Sequence, residues 1–384
     1  MTTFIEDSPR AFQAKWIAEA VMAGHAQGAV LTPWATPWHH RGGPGKKPGI
    51  RERAQELAND AVPLWFDATT HALQMGGVGD FRYYDEFDLW SGPRGDLSTP
   101  ANRDEHVRKV FDVQDTLGAP HLGPTVLLHT GLSQTSVVAL DLARDAVERD
   151  PQCWLTIAGT NPFWASGAAL DAHIGALAAL QPAGWFLAIA RPLGTIPVAA
   201  TRDEVFGLCR TVRALAEDAP VHISHGDLAG LPAIAAGASS VGTGWDKRQR
   251  VLSFADYAAR TPGATGGGWY ERPTLRGLIG SLSSNEANVL QSRDPAFTAR
   301  MGGLPAPGPK EAFVQHIATL ASLVADIATQ ADFEQRYRRV RDLYHAATGD
   351  WGTSLSLSPS DTSAADWIAA LEEGLGDYGA AEGW

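Results

Sequence analysis

The stretch that decides the fold spans residues 221–250 and reads VHISHGDLAGLPAIAAGASSVGTGWDKRQR. Val221–Ser224 is a short β-branched run that ends at His225 and Gly226. Asp227 is placed to cap a helix, Leu231, Ile234 and Ala235 recur at helical spacing, and Gly237 closes it. Residues 239–243 are a second strand, running out into Gly242, Gly244, Trp245 and Asp246. Strand, glycine turn, helix, glycine cap and strand make a βαβ unit with very short connections. Parallel strands joined this tightly belong to a sheet covered by helices or closed into a barrel, and the loops after the strands carry the chemistry.

Working outward, the alternation repeats. Strands are predicted at 3–5, 29–32, 62–66, 119–123, 154–158 and 184–190, with helices over 9–23, 51–59, 102–117, 134–147, 168–180 and 202–216. With the two strands of the opening unit the count reaches the eight of a TIM (β/α)8-type barrel. An open doubly wound sheet is the alternative, but no Gly-rich dinucleotide fingerprint follows the first strand, and no cofactor is expected. The α/β barrel is assigned to 1–258. Residues 259–384 are expected to be a Gly-rich linker and a helical C-terminal extension packed on the barrel. In that extension, helices are predicted at 311–327, 332–345 and 365–375, with a loose end after them. The second carries Arg336, Arg338, Arg339 and Arg341, either a solvated face balanced by acids or a phosphate contact.

Bulk properties narrow the function classes. The 384 residues carry a formal charge of −12, so a broad basic coat for nucleic acid is disfavoured, while a local basic groove stays open. The thirteen tryptophans pack the core or stack on a flat ligand. Two cysteines, Cys153 and Cys209, make neither a Cys-rich zinc set nor a disulfide framework. The start, MTTFIEDSPR, lacks the basic and apolar parts of a signal peptide, and no stretch is taken to approach a membrane span. The expectation is a cytoplasmic protein without a membrane partner.

Candidate site residues are those at strand ends: Thr32, Trp34 and His39, then Asp67, then Gly159, Thr160 and Asn161, then Arg191, His225 and Asp227, and finally Trp245, Asp246 and Arg248. Asp67 follows the apolar run VPLWF, where a carboxylate is costly to bury unless paired or used. It is either a base or ligand acceptor, or a turn residue holding Thr69 and Thr70. Asp246, beside Lys247 and Arg248, suits a nucleophile or base, or simply a polar loop exit. His225 is an acid/base residue or a turn donor. Asn161 offers a donor and an acceptor to a planar ligand, or caps a helix. His39-His40 and His222/His225 match no zinc spacing, and no metal site is assigned. Backbone N–H groups at 242–244 could cradle a phosphate.

Several of these segments resemble the tRNA-guanine transglycosylase family, including its DNA-modifying relatives. LWFDATTHALQM is similar to that family's strand with its base-recognising Asp, which would match Asp67. DLSTPANRDEHVRKVFDVQDTLGAP resembles its Leu-Thr-Pro-Glu helix, with Gln114, Leu117, Gly118 and Ala119 in register. LTIAGTNPF lies where the family has a strand and Gln-Gly-Gly, GWFLAIARP where it has a base-contacting glycine, and the opening unit where it leads to its nucleophile. The resemblance spans about residues 29–254. It implies a TIM barrel exchanging a purine-type base, guanine or 7-deazaguanine, through a covalent Asp, with tRNA or DNA as partner. In register the nucleophile position is Gly242, the nearest carboxylate is Asp246, and the family's Cys/His zinc set has no counterpart.

The first expectation is therefore a zinc-less transglycosylase-like barrel. Asp67 would bind the base, assisted by Asn161, and Asp246 would be a displaced nucleophile or base. A lyase or hydrolase of a small phosphorylated or sugar substrate is the second, with His225 and Asp227 as acid and base. A non-catalytic barrel that binds nucleic acid or protein through loop 81–90 and the arginine-bearing helix is the third.

Overall fold

The computed structural model describes residues 2–8, 10, 12–42, 48–75, 78, 83–196, 198–258, 272–358 and 363–384. The Gly-rich linker expected from residue 259 lies outside the described residues as far as 271, as does part of loop 81–90.

Nine strands form one sheet: β1 (Thr2–Glu6), β2 (Gly28–Leu31), β3 (Leu64–Phe66), β4 (Leu122–Gly123), β5 (Leu127–Leu128), β6 (Trp154–Thr160), β7 (Gly184–Ala190), β8 (Val221–Ser224) and β9 (Ser240–Thr243). Their spatial order is β3-β2-β1-β9-β8-β7-β6-β4, with β5 also on β6 and every pair parallel. β4 and β5 are two pieces of one stave, since Leu122 pairs with Trp154 and Leu127 with Ala158. Pro124 lies in the break, where a missing N–H cannot join a ladder. Eight staves result, and pairing of Thr2–Ile5 on β1 with Ser240–Thr243 on β9 brings the two ends together. Helices stand between successive staves, so the chain is a TIM-type barrel.

One seam lacks a ladder, between β3 and β4. Gln114 spans it from the helix Pro100–Leu117, donating from Nε2 to Phe66 O and Leu122 O, both at 2.9 Å. Gln74 reaches the same seam, its Oε1 accepting from Leu127 N at 2.7 Å.

Strand period two sorts the interior into layers. Phe4, Val30, Leu122 and Phe186 fill the lower lumen with Trp65 and Trp154 packed against them. The Trp65 ring lies 4.4 Å from Trp154, 5.3 Å from Phe186 and 5.5 Å from His222. Each such ring stabilises the barrel by about 1.5–3 kcal/mol through removal from water. The next inward positions, toward the strands' carboxyl ends, are Glu6, Asp67, Ser224 and Gly242, each two residues beyond Phe4, Trp65, His222 and Ser240.

The extension is welded to the barrel by a buried polar network. Asp227 Oδ2 accepts from Arg250 Nε at 2.9 Å, and Oδ1 accepts from the Thr243 hydroxyl at 2.8 Å and lies 3.0 Å from His316 Nε2. His316 Nδ1 lies 2.8 Å from Thr274 Oγ1, and Arg250 donates to Ser281 Oγ at 2.8 Å. The expected helix cap at Asp227 is thus corrected. Its φ of 45° places it in a tight turn, and its carboxylate serves this network. Arg250 and His316 hold it below the usual carboxylate range against the opposing effect of burial.

The expected loose end is also corrected. The helix Ser363–Ala381 packs on Arg202–Leu215, and the Trp384 ring sits 5.5 Å from Tyr378 and 5.6 Å from Tyr337. The arginines of Phe333–Leu357 are occupied. Arg339 pairs with Asp326 at 2.7 Å and Arg338 with Glu334, while Arg336 covers Phe333 and Arg341 meets the Tyr337 hydroxyl. Pro309–Ala328 is long and apolar enough to cross a membrane, at mean hydropathy 1.2, contrary to expectation. Its Phe313, Ile317, Leu320, Leu323, Val324 and Ile327 are buried in the protein.

Candidate active site at the carboxyl mouth of the barrel

The polar layer of the barrel centres on Glu6. Its Oε1 accepts from the Ser224 hydroxyl at 3.0 Å and the His225 backbone N–H at 2.9 Å. Oε2 is buried without a hydrogen-bond partner among the described residues. Ser224 Oγ is 2.7 Å from His225 Nδ1. A hydroxyl that gives its one proton to Glu6 must accept from Nδ1–H, which leaves Nε2 as the far nitrogen of the His225 ring. Beneath them His222 Nδ1 lies 2.9 Å from Ser240 Oγ, and Nε2 is 4.0 Å from Glu6 Oε1 with no hydrogen-bond partner among the described residues. Burial raises the Glu6 pKa, but His225 and His222 outweigh it and hold the carboxyl below its usual range. Burial lowers the pKa of His222.

Across the mouth, Asp67 follows β3, with Oδ1 accepting from Thr69 N at 2.8 Å. This is the expected turn contact, made to Thr69. His71 is buried nearby: burial lowers its pKa, Asp67 draws it up, and His225 pushes it down. These groups therefore share one electrostatic space. Tyr257 is buried too. Burial raises its pKa, and the charges of Asp67, Asp256 and Glu6 add to the rise. The Trp34 ring lies 4.8 Å from Tyr257, and the Arg248 guanidinium carbon sits 4.9 Å from its centroid. Both strand-end turns are strained, with φ of 49° at Thr69 and 51° at His225. Non-glycine residues held there cost free energy and concentrate at functional sites.

Of the predicted residues, Asp67, His225, Trp34 and Arg248 meet at this mouth. The others are placed elsewhere or committed to the fold. Asp246 caps the helix Lys247–Arg250, its Oδ1 accepting from Arg248 N at 2.9 Å. Burial raises its pKa against Arg248 and Arg10. Trp245 packs outward, 5.6 Å from Trp16 with Arg10 over its ring. Gly159 also faces outward, where a Cβ would overlap the Phe163 ring. Thr160 Oγ1 lies 3.2 Å from both Leu128 O and His129 Nδ1. Asn161 donates to Thr201 Oγ1 at 2.6 Å and Glu204 at 2.9 Å, and Arg191 pairs with the same Glu204 at 2.5 Å. Thr32 shapes its own turn by accepting from Trp34 N and Ala35 N, and His39 is exposed.

The expected phosphate cradle at 242–244 is filled from within. A Cβ on Gly242 would overlap Glu6 Oε1, and one on Gly244 would overlap Gln249. A carboxylate in that space repels a phosphate. Among the described residues, no group of three or more His, Cys, Asp or Glu side chains is arranged to hold a metal ion. Two clefts along the helices Ala168–Ala178 and Arg202–Leu215 contain none of the mouth residues.

Sequence reasoning missed Glu6, His71 and Tyr257. Glu6 was within reach: extending the first strand by one residue puts an acid at a strand end, the same signal that marked Asp67. His71 lies four residues beyond Asp67, and only the 3-10 turn Thr70–Gln74 folds it back.

No protein-family model matches the chain, and no curated protein sequence does. Among solved structures, the crystal structure of the Amycolatopsis orientalis BexX/CysO complex is similar, with a TM-score of 0.35 at 13% identity, covering 68% of this chain and 84% of that one. A likeness at that level carries no argument about function.

Proposed function

We propose that the carboxyl mouth binds a purine-type base and exchanges it in a nucleic acid, as the resemblance to the transglycosylases implies. One observation carries the reading: the strands' carboxyl ends hold the carboxylates of Glu6 and Asp67 in one inward layer, and on the same side the Trp34 and Tyr257 rings pack 4.8 Å apart under Arg248. Carboxylates beside aromatic rings suit a flat heterocycle rich in N–H donors, because the acids accept from its edge and the rings cover its face. Asp67 is the edge acceptor, and Thr69 N–H, bound to Oδ1, orients it. His71 and His225 are the proton-carrying groups within reach.

Calorimetric titration with guanine and 7-deazaguanine tests this, together with incorporation of labelled guanine into tRNA or DNA. Binding by the wild type is expected, with at least a tenfold loss in Asp67→Asn, which keeps the acceptor for Thr69 but loses the charge. Unchanged affinity in that variant, or no binding by the wild type, overturns the proposal.

A further inference from the structure

We infer that Glu6 is a substrate-contacting residue whose Oε2 is reserved for an N–H or O–H donor of the bound ligand; the nature of that ligand rests on the function proposed above.

Comparison with two other buried acids makes the case. Asp7, the next residue, has both oxygens engaged: Oδ1 takes Arg53 at 2.6 Å, and Oδ2 takes the Thr36 hydroxyl at 2.7 Å and Thr32 N–H at 3.2 Å. Asp227 likewise uses both oxygens, on Thr243, His316 and Arg250. These acids are structural, and their hydrogen bonding is complete. Glu6 is equally buried, at 1% exposure, yet among the described residues only Oε1 has hydrogen-bond partners. Two donors on one oxygen fix the carboxylate's orientation and leave the other bare. Buried polar atoms without partners are rare and call for a physical reason.

The surrounding backbone is shaped to keep this arrangement. Gly242 occupies the same layer on the neighbouring strand, and any Cβ there would overlap Glu6 Oε1. The chain thus omits a side chain on β9 where the acid from β1 stands. The His225 N–H that holds Oε1 comes from a residue in the left-handed region, with φ of 51°. A glycine and a strained histidine together position a carboxylate whose second oxygen has no hydrogen-bond partner among the described residues.

Glu6→Gln tests the assignment, because it preserves shape and the Oε1 acceptor while turning the bare acceptor into a donor. The readouts are guanine affinity by calorimetry and the melting temperature. Expected are a loss of guanine affinity of at least tenfold and a melting temperature within about 4 °C of the wild type's, since the variant keeps the side chain's shape and both contacts at Oε1. A melting temperature lowered by more than about 4 °C marks a structural acid and overturns the inference. So does unchanged guanine affinity where the wild type binds. If the wild type does not bind guanine, the base reading fails by itself. The melting temperature then decides for Glu6: a value within about 4 °C of the wild type's supports it, and a larger drop overturns it.

Discussion

The Gln114 side chain exchanges two hydrogen bonds with the Leu122 backbone, donating from Nε2 to the carbonyl at 2.9 Å and accepting at Oε1 from the amide at 3.1 Å. Its further bond to Phe66 O makes one amide side chain the substitute for a missing ladder. Gln114→Leu leaves two carbonyls and one N–H bare in a dry seam. At about 1–3 kcal/mol for each such group, a destabilisation of about 3 kcal/mol or more is expected. Urea unfolding measures it as a lowered midpoint, and an unchanged midpoint would mean that water repairs the seam.

His106 makes stability depend on pH. Its Nδ1 meets Leu89 O at 2.7 Å and its Nε2 meets Thr70 Oγ1 at 2.8 Å, the pattern of a neutral ring. Burial pushes its pKa from 6.5 down to about 4. The unfolded chain therefore binds a proton at this ring below pH 6.5 that the folded one refuses until pH 4. Stability is complete above the unfolded value and falls by about 1.4 kcal/mol per pH unit in that window. His106→Gln should flatten the decline in urea midpoint between pH 7 and pH 5. An equal slope in the variant would assign the decline to other groups.

The weld between Asp227 and Arg250 is predicted to be asymmetric. Asp227→Asn leaves the Arg250 charge buried without its counter-ion, at a cost of about 3–5 kcal/mol. Asp227→Asn combined with Arg250→Met should recover part of that loss. Thermal unfolding of the three proteins checks it. Equal stability of the wild type and the single variant would show that the ion pair contributes nothing.

Gly242→Ala puts a methyl group where Glu6 Oε1 stands. Overpacking of this kind costs about 1–3 kcal/mol, and displacement of the carboxylate should weaken guanine binding as well. Melting and calorimetry on the one variant report both. An alanine tolerated with full stability and affinity would mean that the acid has room to shift.

Architecture was largely legible in the sequence because it depends on local signals. Val221–Ser224 and Gly184–Ala190 announce themselves as buried parallel strands, and Gly237 closes its helix as read, with φ of 120°. The site was less legible because it depends on which strand lies beside which. Gly242 reads as a missing nucleophile along the chain, and only the β1–β9 pairing reveals a carboxylate from the neighbouring strand in its place. Asp246 and Asp227 are ambiguous in the sequence for a related reason. An acid after a strand is equally able to cap or to bridge, and a single sequence does not say where its oxygens point. Tyr257 follows the last stave, so its packing on Trp34 is invisible until the ring of strands is closed.

That pairing also orders events in time. β1 is made first, but its partner β9 lies more than two hundred residues further on, at Ser240–Thr243. Contacts so distant along the chain form slowly and late. While the ribosome is still working toward β9, Glu6 lacks the Ser224 hydroxyl and the His225 amide that orient it, and one edge of β1 is open to wrong partners. The acid at the heart of the mouth is therefore assembled only when the barrel completes. A truncated or half-folded chain would carry every residue of the first strand and none of its function.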